Sequence, residues 1–241
     1  MEPTRLVYLE EMQRLDSPAH VLGVESSEDR IWLILDQTVF YPQGGGQPCD
    51  QGWIERNGSR FRVEEVRFLD GIVRHAGFFD GAAFREGEEV RCLVDAGRRL
   101  LHSRIHSAGH VVDMAVTELD LGWIPGKGYH FPQGPYVEYR GNLEGLDKQR
   151  LGAEIEKRAN DLVRSGLVTR VTLMTRGELS AVCRFVPEYV PEEKPSRVVF
   201  YGDFGVPCGG THVAALGEIE SVTIRKIKQN GETVRVAYAV G

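Results

Sequence analysis

A helical repeat that carries its histidines in a pair most constrains how this chain can fold. From about residue 96 to residue 119, apolar residues recur at helical spacing: Leu100, Leu101, Ile105, Ala108, Val111, Val112 and Ala115. Within it stands His106-Ser107-Ala108-Gly109-His110. Residues four apart on a helix lie one above the other, so the two imidazoles share a face. About a hundred residues later comes Cys208-Gly209-Gly210-Thr211-His212, a Gly-rich turn holding a thiol and a third imidazole. Three imidazoles and a thiolate form a borderline-soft donor set of the kind that holds zinc. A fold that uses all four donors must bring the late turn onto the face of the helix. If all four bound at once, the metal site would be closed and structural, since a catalytic zinc keeps a position open for water or substrate. Both roles stand at this point.

Before this helix the apolar period is two. Residues 5–9, 20–26, 30–35, 52–56, 60–68, 71–75 and 89–94 read as strands, and Asn57-Gly58 and Asp70-Gly71 are hairpin signals. So many short strands suggest a small β-barrel over residues 1–94. Inside it lies Tyr41-Pro42-Gln43-Gly44-Gly45-Gly46-Gln47-Pro48, whose three glycines suit neither helix nor strand. They serve either a turn with positive φ or a close approach to a substrate.

The period changes to 3.6 near Asp95, and residues 95–241 read as an α+β domain. Residues 123–131 read as a loop leading into a short strand, with 136–139 as its partner. A second helix covers 146–166, with Leu151, Ile155, Ala159 and Leu162 inward and Gly166 as its stop. A strand (167–174), a short helix (177–183), a Pro-containing loop and strands at 198–201, 217–228 and 233–240 follow. The fold class expected is α+β: a small barrel, then a helix carrying HxxxH against an antiparallel sheet.

The 241 residues carry a formal charge of −6, which argues against a surface built for tight nonspecific nucleic-acid binding. No apolar run reaches the roughly 18 residues of a membrane helix. The N-terminus lacks a secretory pattern, so a cytoplasmic protein with no membrane and no DNA partner is expected. The four cysteines form no CxxC pair. Cys49, Cys92 and Cys183 read as small apolar fillers. Arg98, Arg99 and Arg104, and Arg225, Lys226 and Lys228, are the basic clusters best suited to an RNA backbone. Charge on a solvated face explains them nearly as well. His20, His75 and His102 have no partner pattern.

The segments RLLHSRIHSAGH and VPCGGTH, in that order and separation, resemble the HxxxH and CxxxH motifs of the alanyl-tRNA synthetase editing domain and its freestanding AlaX relatives. FYPQGGGQPCDQG resembles the Gly-rich motif of the barrel domain that precedes them. The resemblance covers nearly the whole chain and points to the medium-sized AlaX class. It implies an ATP-independent deacylase that clears tRNA(Ala) mischarged with serine, or with glycine, acting in trans, with zinc held by His106, His110, Cys208 and His212. It also implies that Gly44, Gly45, Gly46 and Gln47 belong to the working part of the protein. The helix reads HSAGH, so the glutamate base of the HExxH metalloproteases is absent, which suits a labile aminoacyl ester better than a peptide.

Rejecting correctly charged alanine calls for polar groups that pair with the serine hydroxyl. Ser107, Thr211 and Gln47 are the candidates. Gly209 and Gly210 could border the substrate, Lys127 could meet a phosphate or simply be solvated, and His130 is either a pocket residue or a bonded core histidine. Gly109 in mid-helix serves either a ligand's close approach or tight helix packing. Two rivals remain: editing of Ser-tRNA(Thr), and a non-catalytic RNA-binding module with structural zinc.

Overall fold

The computed structural model describes residues 1–27, 30–188 and 190–241. Two compact units divide within one helix: Met1–Leu101 and His102–Gly241.

The first unit is a closed barrel. Its strands are β2 (Asp16–Ser27), β3 (Arg30–Leu35), β5 (Gly52–Arg56), β6 (Ser59–Leu69), β7 (Ile72–Asp80) and β8 (Glu89–Val94), in the order β2-β3-β7-β6-β5-β8. Pairing of β2 with β8, Ser17 opposite Cys92, closes the ring. Closure removes the exposed edges and directs Leu33, Phe61, Val63 and Cys92 into one core. Asn57-Gly58 and Asp70-Gly71 take positive φ at both residues, as tight hairpins require. Residues 5–9 depart from the expected strand. Only β1 (Arg5–Leu6) is extended, pairing in parallel with β4 (Gln37–Thr38). Val7–Glu10 instead close a helical turn, α1, that buries Val7 and Tyr8.

The ligand helix, α2, runs Ala96–Glu118. Leu100 and Leu101, expected inward, are 47% and 40% exposed, while Arg99, His102 and Ser103 are buried. Within the first unit, Arg99 is drawn in by Asp50, which is fully buried. Its guanidinium also donates to the carbonyls of Met12 and Val39 at 3.0 and 2.6 Å. That attachment buries Arg99, which apolar spacing cannot foresee.

In the second unit, β9 (Ile124–Tyr129), β10 (Tyr136–Arg140), β14 (Val222–Asn230) and β15 (Thr233–Val240) form a four-stranded antiparallel sheet, order β14-β15-β10-β9. Ile105, Ala108, Val111, Val112 and Ala115 of α2 share a core with Val234, Val236 and Tyr238 of β15. Helix α3 (Lys148–Ser165) is capped by Asp147, which accepts from the amides of Gln149 and Arg150. It stops at Gly166, φ 62°, and buries Leu151, Ile155 and Ala159 as its period requires. A second sheet joins β11 (Thr169–Met174), β12 (Ser196–Tyr201) and β13 (Phe204–Pro207), in that order. A short helix, α4 (Arg176–Val182), with a Thr175–Glu178 capping box, links the first two. Two stretches depart from expectation. Strand β13 lacks the length to show a period, and residues 217–219, expected to open a strand, belong to a 3-10 turn (Leu216–Ile219) before β14. Among the described residues no helix is long and apolar enough to cross a membrane.

Candidate metal centre

The second unit gathers the four expected donors. His106 and His110 project from one face of α2, and Cys208 and His212 come from the turn after β13. Their ligand atoms all lie within 4.8 Å of one another, close enough to share one ion. Cys208 Sγ is 3.4 Å from His106 Nε2. The rings of His106 and His212 are 4.6 Å apart, and those of His110 and His212 5.1 Å.

The surroundings fix each ligand. The Cys208 sulfur accepts the Gly210 amide at 3.4 Å. Arg197 Nη1 donates to the carbonyls of Cys208 and Gly210 at 2.8 and 2.9 Å, which locks the turn. His212 Nδ1 lies 3.1 Å from the Tyr201 hydroxyl and 3.3 Å from Ser107 Oγ. With Nδ1 so engaged, Nε2 is the atom turned to a metal. Asp113 Oδ2 stands 3.8 Å from His110 Nδ1, and Asp113 Oδ1 accepts the Tyr139 hydroxyl at 2.5 Å. A carboxylate behind a ligand histidine orients the ring and raises its basicity.

The cluster's electrostatics follow from burial and crowding. Burial pushes His106 and His212 well below the ordinary histidine range, and the neighbouring imidazoles push them further. Burial opposes charge on His110 as well, but Asp113 and Cys208 outweigh it and raise the group to about 9. Burial would raise the Cys208 thiol, yet the neighbouring His110 draws it below its ordinary value. A cation centred here relieves the crowding that these shifts express. Both His110 nitrogens are buried with no hydrogen-bond partner among the described residues, so the donor set and its burial fit a metal ion.

Several expected residues fall beside the cluster. The Ser107 hydroxyl is engaged behind His212, accepting from the Val213 amide and the Tyr201 hydroxyl, each at 3.2 Å. Thr211 Oγ1 accepts from Ser103 Oγ at 2.8 Å. His130 is buried and stacks on His106, ring centroids 4.3 Å apart. Its Nδ1 is 2.7 Å from the Tyr238 hydroxyl, which donates to the Ile105 carbonyl at 2.9 Å. A carbonyl only accepts, so the tyrosine proton goes there, and His130 Nδ1–H donates to the tyrosine oxygen. His130 Nε2 is left as a bare acceptor. Burial, then the nearby His110, drives His130 down to about 3, so it stays neutral.

Gly109 makes room for that ring. A Cβ at Gly109 would come within 2.5 Å of His130 Cε1, and one at Gly128 within 2.3 Å of His130 Nε2. The mid-helix glycine thus serves a close approach by a histidine side chain. Gly209 is exposed and Lys127 lies exposed on β9.

In the first unit, Gly44 and Gln47 exchange backbone hydrogen bonds of 3.2 and 2.8 Å around Gly45 and Gly46, both at positive φ. This is the tight turn that the glycines make possible, and Gln47 is buried beside it. Arg99 and Arg104 are not available as an RNA-backbone cluster. Arg99 is buried against Asp50, and Arg104 donates to the Ile219 and Gly241 carbonyls and pairs with Glu220. Arg225, Lys226 and Lys228 are exposed. Arg197, Tyr201, Tyr238 and Asp113 escaped the sequence reading. The only signal for them was parity: Arg197, Val199 and Tyr201 alternate on one face of β12.

A closed barrel, and a helix-on-sheet unit with three imidazoles and a thiol around one point, define a protein with a candidate metal site. The family described as tRNA synthetases class II (A) matches residues 13–98, and that described as the threonyl and alanyl tRNA synthetase second additional domain matches 196–236. An alanyl-tRNA editing protein AlaX-M of Methanosarcina barkeri is 33% identical over 89% of this chain and 90% of that protein. The AlaX-M of Methanosarcina acetivorans is 31% identical over 89% of this chain and 91% of its own length. An alanine–tRNA ligase of Methanopyrus kandleri is 31% identical over 99% of this chain but only 26% of the ligase. The chain belongs to the AlaX-M family of alanyl-tRNA editing proteins.

Proposed function

We propose that this chain is a zinc-dependent trans-editing deacylase that hydrolyses the ester of tRNA(Ala) mischarged with serine, and secondarily with glycine. The four-donor cluster, in a chain of a family named for alanyl-tRNA editing, carries the reading. His106, His110, Cys208 and His212 would hold zinc, which fits the borderline-soft donors. Bound there, zinc supplies a polarised ester carbonyl and a more acidic water. The chain's own residues orient and select. Asp113 aims His110, and Tyr201 with Ser107 aims His212. The neutral His130 Nε2 offers an acceptor to a serine hydroxyl or to the substrate's α-ammonium group. An acceptor left unpaired by alanine is a means of rejecting the correct product. Thr211, Gln47, Gly44–Gly46, Gly209, Gly210 and Lys127 remain assigned to the substrate side. The barrel (1–94) and the editing domain (95–241) are assigned as the two working parts.

The test is metal analysis together with deacylation of Ser-tRNA(Ala), Gly-tRNA(Ala) and Ala-tRNA(Ala). Zinc near one equivalent and selective loss of serine are expected. Zinc bound with no ester cleaved would favour the rival of a structural zinc in an RNA-binding module, a reading that four protein ligands support. One matching family also spans threonyl synthetases, so Ser-tRNA(Thr) belongs in the same assay. Cleavage of that substrate alone would reassign the specificity.

A further inference from the structure

The outward face of the four-stranded sheet carries a feature that the metal centre does not use. Side chains alternate along a strand, so Lys127 and Tyr129 share one side of β9; just past its end Phe131 joins Tyr129 by stacking, while His130 stacks on His106. The Tyr129 ring stacks on Phe131 at 4.6 Å and 15°, and on Tyr136 at 5.2 Å and 18°. Arg235 caps the pile, its guanidinium 3.9 Å from the Tyr136 ring centre. The far face of Phe131 stacks on no other ring among the described residues.

The same side of the sheet is basic. Lys228 stands opposite Arg235 and Lys226 opposite Ala237, outward because Ile227 between them is buried. Arg140, Lys127, Lys226 and Lys228 are exposed and enter no ion pair among the described residues. The carboxylate set among them, Glu138, is engaged by Arg235 at 2.6 Å. A basic face with a stacked aromatic row is unexpected on a chain of formal charge −6. Aromatic faces take unpaired bases, and flanking cations take phosphates.

We infer that this sheet face binds the single-stranded 3′ end of an RNA, with a base extending the pile at Phe131 and phosphates lying toward Lys226 and Lys228. The inference rests on the proposed action on tRNA and deepens it. His130 and Phe131, consecutive residues just past the end of β9, would connect the nucleotides on the outer face to the terminal ester at the metal centre.

The experiment uses the full chain and two labelled RNA hairpins, one with a single-stranded 3′ tail and one blunt, with binding read by fluorescence anisotropy at two salt concentrations. Phe131→Leu keeps apolar volume but removes the ring. It should raise Kd for the tailed hairpin about five- to a hundredfold and leave the blunt one unchanged. Lys226→Gln/Lys228→Gln changes only exposed side chains. It should weaken both hairpins and lower the salt slope by roughly two. Thermal unfolding and metal content, measured alongside, should match the parent protein. Wild-type affinity for the tailed hairpin in folded Phe131→Leu, or an unchanged salt slope in the lysine variant, overturns the assignment. If the parent protein still clears Ser-tRNA(Ala), the deacylase reading survives that result. A parent protein that neither binds the hairpins nor cleaves the ester overturns both.

Discussion

Two helix glycines in the second unit should respond to the same substitution with opposite sign. Gly109 in α2 and Gly152 in α3 both lie inside helices, where alanine is favoured over glycine by about 1 kcal/mol. At Gly152 a new Cβ would meet Ile224 and Ile227 side chains at 3.7 and 3.9 Å, ordinary contact. Gly152→Ala should therefore stabilise by up to about 1 kcal/mol. At Gly109 the Cβ would fall 2.5 Å from His130 Cε1 and 3.0 Å from the Tyr238 hydroxyl. The His130 ring cannot retreat, since His106 stacks on it and Gly128 already yields it space. Overpacking costs about 1–3 kcal/mol, and losing the His130–Tyr238 hydrogen bond costs about 1 more. Against the helix gain, Gly109→Ala should destabilise by about 1–3 kcal/mol. At roughly 2–4 °C per kcal/mol for a chain of this size, calorimetry in chelator should show Tm falling for Gly109→Ala and rising for Gly152→Ala. In a His130→Ala background most of the Gly109→Ala penalty should disappear, because the clashing ring is gone and only the 3.0 Å contact with the Tyr238 hydroxyl remains. A stabilising Gly109→Ala, or a penalty undiminished without His130, would refute the reasoning.

The remaining predictions concern buried charge, ligand orientation and protonation. Asp50→Asn strands the Arg99 guanidinium, whose side chain is 4% exposed, and should cost about 3–5 kcal/mol in urea unfolding. The Asp50→Leu/Arg99→Met double variant should recover much of that, and equal loss in both would show that the pair is not coupled. Asp113→Asn should weaken zinc affinity about 10- to 100-fold in a competition titration, and unchanged affinity would remove Asp113 from the centre. His75 donates through Nδ1 to the Leu33 carbonyl at 3.1 Å and accepts from Thr38 at 2.9 Å. Burial pushes it down to about 4. The folded state refuses a proton that the unfolded state binds, so this contribution is intact above pH 6.5 and is lost as pH falls toward 4. It amounts to roughly 3 kcal/mol across that window. Urea midpoints measured through that window should fall less steeply in His75→Gln, and parallel slopes would exclude His75 as the source.

Legibility followed the range over which each choice is made. The barrel strands, the period change near Asp95 and the Gly166 stop were readable because period and capping are local. The four candidate donors were readable as a cluster because few residue types can do that chemistry and their spacing on a helix fixes the direction of two of them. Tyr201 bonding to Ser107 and Tyr238 bonding to Ile105 join residues about a hundred or more positions apart, and nothing near either residue announces the partner. Leu100 and Leu101 were misplaced for a related reason. Ranking by hydrophobicity puts a leucine inward, whereas burial of Arg99 is decided by Asp50, far off in the chain.

The same distinction separates what could hold a metal from what would select a substrate. The ligand residues are fixed by their own chemistry, and a spacing rule finds them. Selection depends on which lone pairs face the substrate, and hydrogen bonds from behind decide that. Ser107 looks like a free hydroxyl beside a ligand, yet it is engaged with Val213, Tyr201 and His212. His130 reads as a core histidine, yet the Tyr238–Ile105 relay leaves its Nε2 as an acceptor beside His106. Tyr238→Phe therefore probes selectivity more cleanly than any ligand substitution. It keeps the ring and its packing, removes the relay, and frees His130 to change tautomer. Metal content should be unchanged, while the preference for Ser-tRNA(Ala) over Ala-tRNA(Ala) should narrow. An unchanged preference would return selection to Thr211 or Gln47.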